Sequence, residues 1–218
     1  MTVTSCRRCP RLVAWREEVA AKRRAAFADE HYWGRPIPSL GDPEARIVLL
    51  GLAPAAHGAN RTGRVFCGDR SGDFLFEALH RTGLSAYARN RERTDPVALN
   101  SVWITAAVRC APPANKPLPV ERDTCLPWTA HELAHMEDVR VVVCLGAFAW
   151  DAALRLRVAL GHPPLTPRPK FGHGALARLE PWPLLGTFHP SQQNTFTGRL
   201  TPQMLDDVLL RAREIAQV

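Results

Sequence analysis

Four short apolar runs, each rich in valine, isoleucine and leucine, constrain the fold of this 218-residue chain most strongly. Polar and apolar residues hardly alternate within them, which is typical of parallel strands in a sheet that is covered on both faces. The predicted strands are Ala45–Leu52, Val102–Val108, Val139–Leu145 and Leu184–Phe188. Such strands need helices on both sides of the sheet to bury them.

Segments with the apolar spacing of helices lie before, between and after these runs. They are Arg11–Phe27, Asp73–Thr82, Val120–Met136, Ala147–Leu160 and Gln203–Ala216. In the third segment, Pro127 predicts a helix that starts late, because proline lacks the amide hydrogen of a helix interior. The alternation of strand and helix predicts one α/β domain over residues 1–218, with three α/β/α layers around a mostly parallel four-stranded sheet.

Unusual loop sequences follow the predicted strands at their carboxyl ends. Residues 51–58 follow the first strand, 109–113 the second, 145–146 the third and 189–191 the fourth. Ligand sites in open α/β sheets form at this edge. The sequence therefore predicts a site between the loop after Gly51 and the loop that starts at His189.

The composition excludes several classes of protein. With 46% hydrophobic and 22% charged residues, the chain resembles a globular protein rather than a disordered one. No run of about 18 apolar residues predicts a membrane span, and the N-terminal residues lack the apolar core of a signal peptide, so we expect a cytoplasmic protein. The net charge of +7 favours a polyanionic partner such as nucleic acid, although compositional bias gives the same charge.

Four of the six cysteines have a spacing typical of metal sites. They are Cys6 and Cys9, which form a C-x-x-C pair, and Cys110 and Cys125. Disulfides are disfavoured in a reducing compartment. Four thiolates suit a structural zinc ion or an iron–sulfur cluster, and the spacing does not distinguish them. Two pairs of buried, inert cysteines are the alternative.

Several stretches together resemble one known family. They are the N-terminal C-x-x-C pair, the loop GLAPAAHGANRTGRVF over residues 51–66, the spacing of Cys110 and Cys125-x-Pro-Trp, and the HPS loop over residues 189–201. Over nearly the whole chain these resemble the iron–sulfur uracil-DNA glycosylases, and most closely the family 5 branch. The resemblance implies a DNA-repair enzyme that removes uracil from DNA and leaves an abasic site, and we expect this enzyme to be a monomer. In this branch hypoxanthine, xanthine and modified uracils are implied substrates as well.

The same resemblance implies a cofactor. A structural [4Fe–4S] cluster would be held by Cys6, Cys9, Cys110 and Cys125, and it would take no part in electron transfer during the reaction.

Two residues are predicted to act on the base. Cleavage of an N-glycosidic bond builds negative charge on the departing base, and His189 is placed to donate a hydrogen bond to it. Phe66 is predicted to stack on a base held outside the helix, with Gly51, Ala53, Pro54 and Ala55 holding that base. The alternatives are a capping histidine and an ordinary core phenylalanine.

Two polar residues each have alternative predicted roles. Asp73 opens a predicted helix, where it either orients the attacking water or caps the helix. Asn194 is predicted to hydrogen-bond the base or the backbone, or only to shape the HPS loop over residues 189–201, hereafter the late loop.

The remaining predictions concern contacts with DNA. Arg61, Arg64 and Arg199 are predicted to bind phosphates. Leu200 is predicted to fill the gap that the base leaves in the duplex, with a hydrophobic helix start as the alternative.

Two departures from the superfamily pattern bear on specificity. Many members carry Asp, Glu or Asn where this chain has Ala55-Ala56-His57, and a base-reading Asn where it has residues 104–107, ITAA. A site without a strict hydrogen-bond template rejects analogues weakly, so we predict relaxed base specificity. The missing acidic residue suggests largely dissociative bond cleavage.

A second function is compatible with the same sequence. A metal-containing DNA-binding module without catalysis would also explain the cysteines and the charge. Another α/β hydrolase or a nucleotide-processing enzyme is disfavoured, because the sequence has no GxSxG elbow, P-loop or GxGxxG fingerprint.

Overall fold

A central sheet of six strands organises the computed structural model, which describes residues 2–218. The strands are β1 (Leu40–Gly41), β2 (Ile47–Gly51), β3 (Val102–Ala106), β4 (Val141–Leu145), β5 (Leu176–Ala177) and β6 (Leu184–Thr187). They lie in the order β1-β3-β2-β4-β6-β5. The four inner strands are parallel, and the two-residue edge strands pair antiparallel with β3 and β6.

The mostly parallel α/β sheet is confirmed, but the expected number of four strands is wrong. The four apolar runs became the four inner strands, each one to three residues shorter than predicted. The edge strands β1 and β5 could not be predicted from the sequence, because each has only two residues and these residues are only partly buried. A period of two cannot be recognised over two residues.

Seven α-helices surround the sheet. They are α1 (Pro10–Lys22), α2 (Ala59–Thr62), α3 (Arg70–Arg81), α4 (Pro119–Leu133), α5 (Ala147–Ala159), α6 (Gln192–Phe196) and α7 (Pro202–Ala216). The predicted late start of α4 is wrong, because the helix begins at Pro119 and continues through Pro127. A proline suits the first turn of a helix, where its missing amide hydrogen has no partner. In the described residues no helix is long and apolar enough to span a membrane.

Two apolar cores lie on opposite faces of the sheet. Leu49 of β2 contributes to the core that contains buried residues of α3 and α7. Its neighbour Leu50 contributes to the other core, which contains buried residues of α4 and α5. Because successive side chains of a strand point to opposite faces, every inner strand is covered on both sides. This gives the three α/β/α layers that the sequence predicts.

The strand register brings the carboxyl ends of the inner strands level with one another. Gly51 at the end of β2 lies beside Ala106 at the end of β3, and Leu145 of β4 lies beside Thr187 of β6. The segments that leave these ends must therefore share one edge of the sheet.

Candidate active site

A cavity of about 520 Å³ lies at the carboxyl edge of the parallel strands. Its lining comes from the loop after β2, the start of α3, the loop after β3 and the segment after β6. These contribute Gly51, Ala53, Pro54, Ala55 and Phe66, then Asp69, Arg70 and Ser71, then Ala114, Asn115 and Lys116, and finally His189, Ser191, Gln192 and Gln193. The structure thus brings together the loop after Gly51 and the loop that starts at His189.

His189 lies in the cavity wall and is partly buried. Burial lowers the pKa of its imidazole to about 4, so the ring is neutral at neutral pH. Its backbone is fixed by Asn194, whose Nδ2 donates to the His189 carbonyl at 2.8 Å. Gly146 lies so close that an added Cβ would come within 3.2 Å of the His189 Cβ.

Phe66 presents its ring to the cavity from a left-handed backbone conformation, with φ of 49°. This conformation is uncommon for a bulky residue, and its surroundings hold it in place. Asn90 Nδ2 donates to the Phe66 carbonyl at 3.1 Å, and a Cβ on Gly72 would come within 2.2 Å of that oxygen. The ring centroid lies 6.3 Å from that of His189, with 31° between the ring planes. Phe66 also packs against the core, so the predicted alternative of a core phenylalanine agrees with the structure, while the ring remains exposed to the cavity.

The carboxylate in the cavity wall belongs to Asp69, which the sequence reasoning missed. Asp69 caps α3, with Oδ1 accepting from the Gly72 amide at 3.0 Å. Its other oxygen faces Gly58, where an added Cβ would lie only 2.1 Å from Oδ2. Burial raises the pKa of the Asp69 carboxyl, although backbone hydrogen bonds from Gly72 and Ser71 oppose that rise.

The predicted role of Asp73 in orienting water does not fit this geometry. Asp73 lies in the first turn of α3, outside the cavity lining, and its Oδ1 accepts from Arg91 Nε at 2.9 Å. The helix starts at Arg70, three residues earlier than its apolar pattern indicates, so Asp69 is the capping residue. The sequence carried this signal, since an aspartate before the Ser-Gly pair is a favourable N-cap.

Asn194 shapes the late loop rather than lining the cavity. Besides holding the His189 carbonyl, it accepts from the Leu200 amide at 3.0 Å through its own backbone oxygen. Of the predicted alternatives for Asn194, the structure agrees with hydrogen bonding to the backbone.

Arg61 and Arg64 are used inside the protein, so the prediction that they bind phosphates does not fit the structure. Arg61 is 8% exposed, forms an ion pair with Glu30, and donates to the His57 carbonyl at 2.9 Å. Arg64 donates to Asn90 Oδ1 at 3.1 Å and to three backbone carbonyls of the segment 92–95. Both guanidinium groups hold loops in place.

Leu200 does not fit its predicted wedge role either. It is 1% exposed and belongs to the core beneath α7, so it matches the alternative of a hydrophobic helix start. Arg199 is exposed, with its guanidinium 4.6 Å from the ring centroid of Phe188. The cavity wall carries two further exposed cations that the sequence reasoning did not single out, Arg70 and Lys116.

A second, smaller cavity of about 20 Å³ is lined by all four predicted ligand cysteines, Cys6, Cys9, Cys110 and Cys125. In residues 2–218, no three His, Cys, Asp or Glu side chains are arranged to hold a single metal ion.

Two nitrogen donors point at sulfur atoms of this cysteine site. The Arg109 amide donates to Cys125 Sγ at 3.3 Å. Arg16 Nη1 donates to Cys110 Sγ at 2.9 Å, although the Arg16 side chain is only 2% exposed. A guanidinium this deeply buried requires negative charge nearby, and the Glu17 carboxylate lies 3.8 Å from Arg16 Nη2.

Arg16 also connects the cysteine site to the loop after β2. Its carbonyl accepts from Asn60 Nδ2 at 3.2 Å, and the Asn60 amide donates to the Ala55 carbonyl at 3.1 Å. Ala55 lines the larger cavity.

Comparison with known proteins defines the class to which this fold and cavity belong. The family model described as the Uracil DNA glycosylase superfamily matches residues 38–213, so the chain belongs to that superfamily. Within it the chain belongs to the type-5 branch, because relatives of that name are 43–55% identical to it over 96–99% of this chain.

Three relatives show the extent of the similarity. The type-5 uracil-DNA glycosylase of Mycobacterium tuberculosis is 55% identical over 99% of this chain and 80% of its own length. The Thermus thermophilus protein of the same name is 52% identical over 99% of this chain and 95% of its own. The Pyrobaculum aerophilum protein of that name is 43% identical over 96% and 88%.

The lowered pKa of His189 predicts a specific loss of stability in acid. From about pH 6.5 down to about pH 4, the unfolded chain binds a proton at this residue and the folded chain does not, so stability falls through that window. At pH 4, this proton binding by the unfolded chain lowers the free energy of unfolding by about 3 kcal/mol relative to neutral pH. Urea denaturation from pH 8 to pH 4 measures the free energy of unfolding of the parent and of His189→Asn. Over this range the variant should lose about 3 kcal/mol less stability than the parent.

The exposed His31 provides the matched control. His31→Asn should follow the parent at every pH. Identical pH dependence in the parent and in His189→Asn would contradict the burial of a neutral His189.

Proposed function

We propose that this protein removes uracil from DNA by hydrolysing the N-glycosidic bond, which leaves an abasic site. The observation that carries the proposal is one cavity that holds an aromatic ring, a neutral imidazole and a partly buried carboxylate from three separate segments, Phe66, His189 and Asp69. Membership of the uracil DNA glycosylase superfamily and the names of the type-5 relatives support it.

The base must leave the stack to reach this cavity. Phe66 supplies a flat apolar surface for the base, and its left-handed backbone fixes the ring over Gly51, where an added Cβ would lie 3.0 Å from the ring. Stacking here orients the base without reading its polar edge.

His189 stabilises the charge that develops on the base as the bond to the sugar breaks. A neutral imidazole presents one N–H donor, and a preorganised donor in a partly dry cavity acts strongly on a developing anion. Because its pKa is about 4, this donor keeps the same protonation state across the neutral range. Asn194 and Gly146 act indirectly, by fixing the position of the His189 backbone.

Asp69 is the group placed to act on the sugar side of the reaction. Its ionised form can orient the attacking water and offset positive charge on the sugar. The raised pKa of this carboxyl means that the ionised form is lost at a higher pH than for a free aspartate. Activity that depends on the ionised Asp69 carboxylate should therefore fall as the pH is lowered.

A pair of charge-neutralising variants tests this assignment. Asp69→Asn removes the charge and keeps the helix cap, because asparagine caps helices as well as aspartate does. We expect its kcat on uracil-containing duplex to fall about 100-fold or more. Asp73→Asn should stay within about threefold of the parent, because it removes only a partly exposed ion pair with Arg91.

The assay cleaves the abasic product with alkali and counts strand breaks. Loss of activity in Asp73→Asn with full activity in Asp69→Asn would overturn the assignment of Asp69. A parent protein that binds the duplex and releases no uracil would overturn the proposed function and favour a non-catalytic DNA-binding module.

We further propose that the site accepts hypoxanthine, xanthine and modified uracils. Ala106, at the end of β3, lines the cavity where many superfamily members carry a base-reading asparagine, and Ala55 lines the opposite loop. A cavity of about 520 Å³ also has room for a two-ring base. Apolar side chains at these two positions cannot demand the hydrogen-bonding pattern of uracil.

A panel of duplexes that differ only in the damaged base tests this breadth. We expect release of hypoxanthine and xanthine at rates within about 100-fold of the uracil rate. Ala106→Asn should shift the preference toward uracil by restoring an amide at the end of β3. Activity confined to uracil in the parent protein would contradict the proposal.

We propose that Cys6, Cys9, Cys110 and Cys125 hold a structural [4Fe–4S] cluster. The four side chains surround one cavity, Arg16 brings a buried positive charge to Cys110, and the Arg109 amide points at Cys125. Four cysteine thiolates suit an iron–sulfur cluster, and a structural zinc ion is the alternative that the same ligand set allows. Bound there, the group would tie the N-terminal segment to β3 and α4.

Metal analysis of the purified protein tests the cofactor. We expect about four iron and four sulfide per chain with broad visible absorption. Cys110→Ser should lose most of the iron. Cys67→Ala, which removes a buried thiol outside the four-cysteine cavity, should retain it. One zinc per chain without iron would contradict the cluster.

A further inference from the structure

The late loop carries an aromatic side chain that the fold leaves in solvent. Phe196, the last residue of α6, is 69% exposed, more than any other large hydrophobic side chain in residues 2–218. A phenylalanine gains from burial, and this one packs into neither core. The ring is therefore available for contact with a bound molecule.

The position of Phe196 is tied to the mouth of the larger cavity. Its helix begins at Gln192, and both Gln192 and Gln193 line that cavity. From the opposite wall, the guanidinium of Arg70 lies 5.6 Å from the Phe196 ring centroid, and Arg70 itself lines the cavity. The ring therefore stands at the rim, between the start of α3 and the late loop.

Positive charge surrounds this ring. Arg70 and Arg199 are both exposed, and Arg199 follows Phe196 by three residues. Cations beside an exposed aromatic ring form a surface for a nucleic acid, because the cations contact phosphates and the ring stacks on bases. Within residues 2–218, neither cation donates to a loop carbonyl as Arg64 does.

We propose that Phe196 enters the base stack at the position that the damaged base vacates. This inference rests on the proposed function, because it assigns the side chain that favours base extrusion. One five-residue helix would then serve both events, with its first residues lining the cavity that receives the base and its last residue filling the gap in the duplex. An inserted ring restores stacking that extrusion removes, so Phe196 should matter only where there is a stack to open.

The experiment compares Phe196→Ala with the parent on the same uracil-containing sequence in two forms. On duplex with a U·A pair, we expect kcat/KM to fall about tenfold or more. On the single strand, the change should stay below about threefold. Phe196→Leu, which keeps an apolar side chain of similar reach, should recover part of the duplex activity.

A second readout reports the position of the base without any chemistry. In a duplex with 2-aminopurine opposite a uracil nucleotide that resists cleavage, the parent should raise the fluorescence by holding the uracil outside the stack. Phe196→Ala should bind this duplex with a reduced fluorescence rise. A merely structural role for Phe196 would leave the fluorescence of the bound complex unchanged.

Leu118→Ala is the matched control, because Leu118 is also exposed, at 45%, and lies two residues from the cavity-lining Lys116. It should behave like the parent on both substrates. Equal losses on duplex and single strand in Phe196→Ala, no loss on either, or a duplex-specific loss in Leu118→Ala instead would overturn the role of Phe196. A parent protein that releases no uracil from either form would instead overturn the proposed function.

Discussion

Burial of the inner strands on both faces is the constraint on which the rest of this structure depends. Strands β2, β3, β4 and β6 are apolar on both sides, so each must lie between helices, and helical connections return the chain to start the next strand in the same direction. All four strands consequently end at one edge. Segments that are more than a hundred residues apart in the chain, such as those after Gly51 and at His189, meet there.

The same exclusion of water sets the electrostatic character of the cavity. Burial lowers the pKa of His189 and raises the pKa of Asp69, so both groups are pushed toward their neutral forms. The histidine gives up its charge entirely at neutral pH. The aspartate is partly compensated by backbone amides at the start of α3, which favour its anion. One wall thus holds a neutral imidazole and the other an anchored carboxylate.

Much of this arrangement could be predicted from the sequence, and the failures have physical causes. Apolar runs reveal inner strands, and the order of strands and loops places the site, so Phe66 and His189 were found. Side-chain exposure is a property of packing and not of residue type. Leu200 and Phe196 are both apolar residues of one loop, yet the first is 1% exposed and the second 69%. Asp73 was predicted in place of Asp69 because the start of α3 was placed three residues too late. The ends of helices and strands are the part of an element that a sequence pattern defines least well.

The chain of contacts from Cys110 through Arg16 and Asn60 to Ala55 means that the two cavities of this protein are not mechanically independent. Arg16 and Asn60 are both buried, and each contact is a directional hydrogen bond, so a displacement at the sulfur cannot be absorbed by solvent. Cys110 also begins the segment that reaches Ala114 and Lys116 in the opposite wall. The cysteine site therefore anchors segments in two walls of the larger cavity, the loop after β2 through Arg16 and Asn60 and the segment after β3 through Cys110 itself.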